Sequence, residues 1–392
     1  MGKTLKRSPS ERYNHFLLVI KFIAGSLGIN IFRQNFKLNL MSWVVISVSL
    51  SFFAFAFYTT YIGVIIEKDY TTILRSLCII ATAIQAFSKF INAASLDNYF
   101  RFIHDEVQAT YVEYECKDNP QYSEILSNNL TLVKRSIVIL AQIYLILTLG
   151  LICLPVYYKY VRGESIEVIP LRLPGIDKNT AVGKIIYQTF HICCVCFGMF
   201  GNFVSDAFMV LLILQVPLMK TILKMKFDEL DEVLLHYPGE RKRTEPLLKD
   251  IFKWHEQINI VTTTIDKMYF WIIFLQISTS TFGIICVTVC YLLGAWPVAP
   301  LYFLNSMVVL YIYCGLGNVV DNANSDITTL IYDCNWYELT APENKMLLNM
   351  LRKSQFAPTM TVGGFMPLSL NTALQLSKTI YTAAMILNEF LN

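Results

Sequence analysis

The sequence predicts an all-α, polytopic integral membrane protein with seven transmembrane helices, its N-terminus cytoplasmic and its C-terminus extracellular. Three observations predict it. Hydrophobic residues make up 55% of the 392 and charged residues 16%, with a mean hydropathy of +0.47, a balance that belongs to membrane proteins. The apolar residues gather in seven runs long enough to cross about 30 Å of hydrocarbon at about 1.5 Å of helix per residue. Lys and Arg are segregated to one set of connections between those runs. The net charge of +3 is too small to point to a nucleic-acid partner, which leaves membrane lipid as the surrounding phase.

Residues 1–12 are polar and basic, and His15 to Phe32 forms a short apolar segment broken by Lys21 and by glycines. It reads as an interfacial or dipping helix. The basic stretch before residue 40 has no small-residue cleavage pattern, so the first span, 40–66, is expected to act as its own insertion signal. A short turn holding Glu67, Lys68 and Asp69 leads to the second span, 72–96, where Lys89 is expected to snorkel to the interface. Residues 97–131 are a mixed-charge, helix-permissive connection. The third span is 132–158, with Pro155 near its end. An irregular loop containing LRLPG follows, placed to cover the mouth of a cavity. The fourth segment, 182–217, is about 54 Å of helix and must project beyond one membrane face, leaving Asp206 near the boundary. After Pro217 a charged helical rhythm continues to an ERKR loop at 240–243, and an amphipathic helix from 245 feeds the fifth span, 268–293. The turn GAWPVAP precedes the sixth, 298–320. Residues 321–362 form a polar, helix-capable connection before the last span, 368–391.

That last helix carries two stripes. Ala373, Leu376, Ile380, Ala383 and Leu387 form an apolar one; Thr372, Gln375, Thr379, Thr382, Ile386 and Glu389 form a polar one. Lipid does not satisfy hydroxyl and amide groups, so the polar stripe faces either protein in a closed bundle or an aqueous cavity.

Of the 32 Lys and Arg, 23 lie in segments 1–37, 97–135, 219–267 and 321–362, against 5 in the intervening connections. The positive-inside rule makes the first group cytoplasmic. The domain plan is therefore a cytoplasmic N-terminus at 1–37, four spans within 38–218, a cytoplasmic helical segment at 219–267, two spans within 268–320, a cytoplasmic connection at 321–362 and a final span within 363–392. The sequon Asn129-Leu130-Thr131 falls in the cytoplasm, where it is not glycosylated.

Catalytic motifs are missing. His255-Glu256 begins a zinc-protease pattern, but Asn259 replaces the second histidine that the metal geometry needs. Gly315 and Gly317 sit inside a span without a preceding strand, which excludes a dinucleotide loop. His191, Cys193, Cys194 and Cys196 diverge around one helix and do not converge as a metal site. The ten cysteines read as small packing residues. The chain is expected to be no enzyme and to need no cofactor. His191 is either hydrogen-bonded to a neighbouring helix or a polar anchor in a ligand cavity. Residues at comparable outer-half depth form the candidate ligand-binding set: Leu77 and Ile80 on the second span, Tyr144, Leu147 and Gly150 on the third, His191 and Cys194 on the fourth, Tyr302 and Asn305 on the sixth. Such a box is mostly apolar with a few polar anchors.

The C-terminal third carries a family likeness. IYDCNWYEL (331–339), LLNMLRKSQFAPTMTVGGFMPLSL (347–370) and TIYTAAMILN (379–388) resemble the insect odorant receptor family, with Trp336, Arg352, Ser354, Gln355, Phe365, Pro367, Leu368, Ser369 and Tyr381 at the family's positions. The long cytoplasmic insertion of the shared co-receptor is missing between the fourth and fifth spans, so the chain resembles an odorant-tuning subunit. The resemblance implies a ligand-gated, non-selective cation channel in the plasma membrane of olfactory sensory neuron dendrites. It implies a tetramer with the odorant receptor co-receptor, cytoplasmic helices forming an anchor, and a small volatile odorant, aromatic ones included, bound among the second, third, fourth and sixth spans. It also implies a pore lined by the last helix, with Thr382 on its wall, a gate at Ile386 and Phe390, and Glu389 at the mouth. A gustatory-type channel is the alternative within the inverted seven-helix class. A G-protein-coupled receptor is disfavoured by the charge distribution and by missing Asp-Arg-Tyr and Asn-Pro-x-x-Tyr runs, and a transporter by the lack of an inverted repeat.

Overall fold

Eleven α-helices and one two-stranded hairpin make up the described part of a computed structural model, which covers residues 8–26, 28, 39–95, 97–117, 119–163, 166–177, 180–237 and 240–391. The expected continuation of the first helix to Phe32, the basic residues Arg33 and Lys37, and the expected end of the second span at Leu96 lie outside the described residues.

Helix α1 (Pro9–Ser26) buries Tyr13, Leu17, Ile20 and Ala24 against α4, α5 and α6, while Leu18 and Phe22 stay exposed. One face of α1 is thus packed on the bundle and the other is open. The first span is α2 (Leu40–Tyr61), prolonged by a π-helical turn to Glu67. It is separated from α3 (Tyr70–Ser95) by Lys68, whose φ of 53° makes the tight reversal. Asp69 starts α3: its carboxylate accepts from the Thr71 amide (3.0 Å) and from the Thr72 amide (3.2 Å) and hydroxyl (2.6 Å). Burial pushes this carboxyl up, but the hydrogen bonds from Thr72 and Thr71 outweigh that and hold it below its ordinary value. Helix α4 (Asp97–Cys116) is followed by α5 (Pro120–Tyr157), which begins 12 residues before the expected third span. Asn119 caps it by accepting from the Gln121 amide, and Pro120 occupies the first turn, where its missing N–H costs nothing. The sequon is not in a loop: Asn129 is buried, donating to the Tyr111 hydroxyl (3.1 Å) and to Gln215 Oε1 (3.3 Å).

The expected single segment 182–217 is two helices, α6 (Ala181–Ile213) and α7 (Gln215–His236), joined at Leu214. Pro217 does not end a helix; it falls in the first turn of α7, where proline is tolerated. Helix α8 (Arg241–Leu292) has 52 residues, about 78 Å. The amphipathic segment and the fifth span are thus one rod that extends far beyond any bilayer. Helix α9 (Ala299–Asp333) likewise outruns the sixth span, and α10 (Ala341–Ser354) starts with a capping box between Thr340 and Glu343. A short hairpin, β1 (Thr361–Val362) paired antiparallel with β2 (Met366–Pro367), then turns the chain into α11 (Leu370–Leu391). Gly363 (φ 61°) and Gly364 (φ 74°) form the turn, and a Cβ on Gly363 would lie 2.5 Å from Phe274. Thr361 donates its amide to Asp266 of α8 (2.9 Å), which ties the hairpin to the long rod.

Among the described residues, six helical stretches are long and apolar enough to cross a membrane: Leu40–Glu67, Tyr70–Ala93, Pro120–Arg162, Val182–His236, Arg241–Leu292 and Ala299–Asp333. Helix α11, with 22 residues or about 33 Å, has the length of a seventh and is more polar. It packs on α8 and α9 with Ala373, Ile380 and Ala384 inside; Gln375, Thr379, Thr382, Ile386 and Glu389 face outward. Thr372 departs from that outward stripe. It is buried, and its hydroxyl donates to the Pro367 carbonyl (2.7 Å).

Candidate functional site

The buried side chains form two clusters. The larger one runs from α1 to α11 and includes Tyr111, Phe227 and Trp254; the smaller, around Cys78, Ile79, Leu171, Cys286 and Trp296, lies at the end of the bundle where α2 meets α3. Between them is a cavity of about 220 Å³. Its walls come from α1 (Ala24), α2 (Val44, Val48, Phe52), α3 (Thr82, Gln85, Ala86, Lys89), α4 (Phe100), α5 (Tyr144, Leu151), α6 (Cys194, Phe197, Gly198, Asn202), α8 (Tyr269, Ile272, Gln276) and α9 (Tyr302, Asn305, Val309). Ile169 of the irregular loop closes one end. That loop is fixed by an Arg172–Glu67 ion pair (2.6 Å), by the Arg172 amide donating to Thr59 Oγ1 (2.8 Å), and by the Leu173 amide donating to the Tyr187 hydroxyl (2.8 Å).

Four of the nine expected ligand-binding residues, Tyr144, Cys194, Tyr302 and Asn305, line this cavity. Leu77, Ile80, Leu147, Gly150 and His191 do not. Leu77 and Ile80 pack against the smaller cluster, about one turn nearer the Tyr70 end of α3 than the lining residues. Leu147 is buried, and Gly150 abuts Leu301, which a Cβ would approach to 3.1 Å. His191 is buried with its ring edge against Tyr187 (5.9 Å between centroids), and its Nε2 has no hydrogen-bond partner among the described residues. The cavity is deeper than the sequence suggested: on α2, α3, α6 and α8 its walls lie in the half that the charge distribution assigns to the cytoplasmic side. Helices α1, α2, α4 and α8 were not expected to contribute.

The electrostatic centre of the wall is Lys89, 3% exposed, whose Nζ lies 2.7 Å from Oδ1 of Asp206, 2% exposed. Lys89 does not snorkel. Asp206 on α6 meets it across the bundle, and the hydroxyls of Tyr144 and Tyr313 donate to the two oxygens of Asp206 at 2.6 and 2.7 Å. The Tyr313 ring also lies beneath the ammonium, 5.4 Å from its centroid. Two charges that would each be costly in a membrane interior thus satisfy one another. The signal for this pair was present in the sequence as one Lys and one Asp, each inside an apolar run, of opposite sign and at compatible depth. The remaining wall is apolar and aromatic. It can hold a small apolar molecule and offer it a few polar contacts.

Comparison with known proteins follows the same architecture. The model of the 7tm odorant receptor family matches residues 69–381. The putative odorant receptor 83c of Drosophila melanogaster is 23% identical over 394 aligned positions, covering 97% of this chain and 98% of the relative; odorant receptor 85b of the same fly is 22% identical over 250, covering 60% and 62%. Among solved structures, the insect olfactory receptor OR5 from Machilis hrabei superposes with a TM-score of 0.75 at 13% identity, covering 97% of this chain and 99% of that one. The same receptor in complex with eugenol also gives 0.75, at 15% identity and 96% and 99% coverage.

Proposed function

The chain belongs to the 7tm odorant receptor family, and on that premise we propose that it is the odorant-tuning subunit of an odorant-gated, non-selective cation channel. It is a multi-pass membrane protein and not an enzyme. The observation that carries the reading is the cavity between the two core clusters, walled by eight helices and mostly apolar. A small volatile entering it gains affinity chiefly by burying apolar surface, at about 25 cal/mol per Å², while Tyr302, Asn305 and Cys194 set its orientation. The likeness to a receptor solved with eugenol supports a small ligand, aromatic ones included.

Opening is a population shift: the odorant binds the open arrangement of the bundle better than the closed one. Tyr144, which lines the cavity and donates to Asp206, and Tyr313 of α9, which donates to the same carboxylate, give α5, α6 and α9 a shared contact beside the ligand. Helix α9 packs on α11, so a displacement of α9 reaches the last helix. There the outward face bearing Thr382, Ile386, Glu389 and Phe390 lines the pore, and Ile386 and Phe390 form a constriction that widens and rewets. The partner is the odorant receptor co-receptor in a tetramer, in the plasma membrane of olfactory sensory neuron dendrites.

The test is co-expression with the co-receptor and recording of current under a panel of volatiles. The expected result is an odour-evoked cation current that cells with the co-receptor alone lack, with its sensitivity shifted by Tyr302→Ala. A response that requires intracellular nucleotide and a G protein would sink the channel reading.

A further inference from the structure

The cavity is closed at both ends and open along one side. At the outer end Ile169 is buried in a loop pinned by Arg172 and Leu173, and by the Trp296 indole, which donates to the Glu167 carbonyl at 3.4 Å. At the cytoplasmic end lie Ala24 of α1 and Phe100 of α4, both buried, with Phe100 edge-on to Phe208 at 4.7 Å between centroids. The α8 wall is sealed too, Tyr269 and Ile272 being 2% exposed. The wall from α2 and α6 is not: Val44 is 41% and Phe197 39% exposed, although both line the cavity. These two helices meet at Phe55 and Phe190, whose rings pack edge to face at 5.6 Å between centroids. On the cytoplasmic side of that contact the α6 lining includes Gly198 and Gly201, and a Cβ on either would meet nothing within 4 Å among the described residues. Two glycines one turn apart thus leave α6 bare where it borders the cavity.

A side chain that faces a cavity and the outside at once marks a mouth. Here the outside is hydrocarbon, because α2 and α6 are membrane spans and the rim residues Val44 and Phe197 are apolar. A small apolar volatile concentrates in that phase, and each methylene group raises its bilayer concentration about fourfold over water. Entry from the water beyond the outer end would instead have to unpin the Ile169 loop. We propose that odorants reach the cavity from within the bilayer, passing between α2 and α6 beneath the Phe55–Phe190 contact. The chain then samples the membrane-dissolved fraction of apolar volatiles. This inference rests on the reading of the cavity as the odorant site.

The test follows onset and decay of odour-evoked current after concentration steps, in cells co-expressing the full chain and the co-receptor. Rates, unlike current size, do not depend on how much protein reaches the surface. Gly198→Leu and Gly201→Leu fill the slot without opposing the helix, since leucine is the better helix former. An obstacle on the route raises the same barrier for entry and exit. Onset and decay should therefore slow by one common factor, roughly tenfold for pushing aside an added side chain, with the half-maximal concentration unchanged. In the unaltered chain, a series of primary alcohols at equal aqueous concentration should show onset rates rising about fourfold per methylene, because the bilayer is the reservoir. Entry straight from water would leave them flat. Onset rates indifferent to chain length, or unslowed decay in both leucine variants, would overturn the proposal. So would faster onset in Arg172→Gln, which frees the loop and assigns the route to the outer end. An altered ligand-free current with unaltered odour kinetics would make the slot the seat of a lipid chain, and overturn it too. Tyr302→Ala, on the α9 wall, separates the two levels. If it leaves potency unchanged for every odorant, the odorant-site reading itself fails; if it shifts potency while the leucine variants leave the kinetics alone, only the lateral route fails.

Discussion

Lys89 and Asp206 illustrate how a single pair of side chains sets a physical condition for the whole bundle. Each is almost fully buried, and each is tolerable only because the other is 2.7 Å away with two tyrosine hydroxyls completing the carboxylate's shell. Removing one partner leaves an uncompensated charge, at a cost of about 3–5 kcal/mol, whereas replacing both by apolar residues of similar size is often neutral. Lys89→Met and Asp206→Leu alone are therefore expected to depress thermal stability and surface expression sharply, and the double variant to recover most of both. A double variant as poor as either single one would show that the two act separately. Gly317 makes a steric counterpart. A Cβ there would lie 1.8 Å from the Leu368 carbonyl oxygen, a backbone atom that has no rotamer to escape into, while a Cβ on Gly315 meets nothing within 4 Å. Gly317→Ala should lower the melting temperature of purified protein by several degrees through displacement of the α9–α11 contact. Gly315→Ala should leave it unchanged or slightly raised, because alanine is the better helix former by about 1 kcal/mol.

Helices are the scale at which the sequence spoke most clearly, because runs of apolar residues and 3-4 spacing are local properties. The turn at Asp69, the amphipathic feed into α8 and the two stripes of α11 were all readable in that way. The break at Leu214 was not, since the apolar run VLLILQV passes through it without interruption and Pro217 drew attention to a place where the helix has already restarted. The cavity was readable in kind and misplaced in depth. Its lining is set by how eight helices rotate against one another, and the valines and phenylalanines of α2, like Tyr269 and Ile272 of α8, carry no mark that separates a cavity wall from lipid or core. Lys89 and Asp206 are 117 positions apart, and only tertiary packing brings them together. At α11 the exposed face is itself informative: Ile386 and Phe390 are 63% and 85% exposed, alongside Thr382 and Glu389, with Ala384 and Ile380 turned inward. If that face lines the pore, Ile386→Ala should raise ligand-free leak current and weaken hydrophobic block. Unchanged conduction after replacing both Ile386 and Phe390 by alanine would remove them from the conduction path.

Across the whole molecule, the distribution of charge and the length of the helices make one joint statement about orientation. Helices α5, α8 and α9, and α6 with its continuation α7, all extend beyond a bilayer's thickness at the same end of the bundle, where α1, α4 and α10 also pack. That end holds most of the 32 Lys and Arg. Among the described residues, the opposite end has the Lys68 turn, the Ile169 loop and the short turn before α9. A translocated polybasic mass of that size would oppose the positive-inside rule, so the helical mass is expected in the cytoplasm, with an odd number of spans carrying the C-terminus outside. The family match alone does not decide this, because it concerns fold and sequence rather than sidedness. Epitope tags do. An N-terminal tag should be labelled only after permeabilisation, and a tag after Asn392 should be labelled on intact cells. Asn129 should carry no glycan on either account, being both cytoplasmic and hydrogen-bonded inside the packed helices. A sequon engineered near Ile176, in the loop between α5 and α6, should acquire one. Glycan at Asn129, or N-terminal labelling of intact cells, would invert the orientation and with it the direction from which an odorant reaches the cavity, because the Ile169 loop that closes one end would then face the cytoplasm.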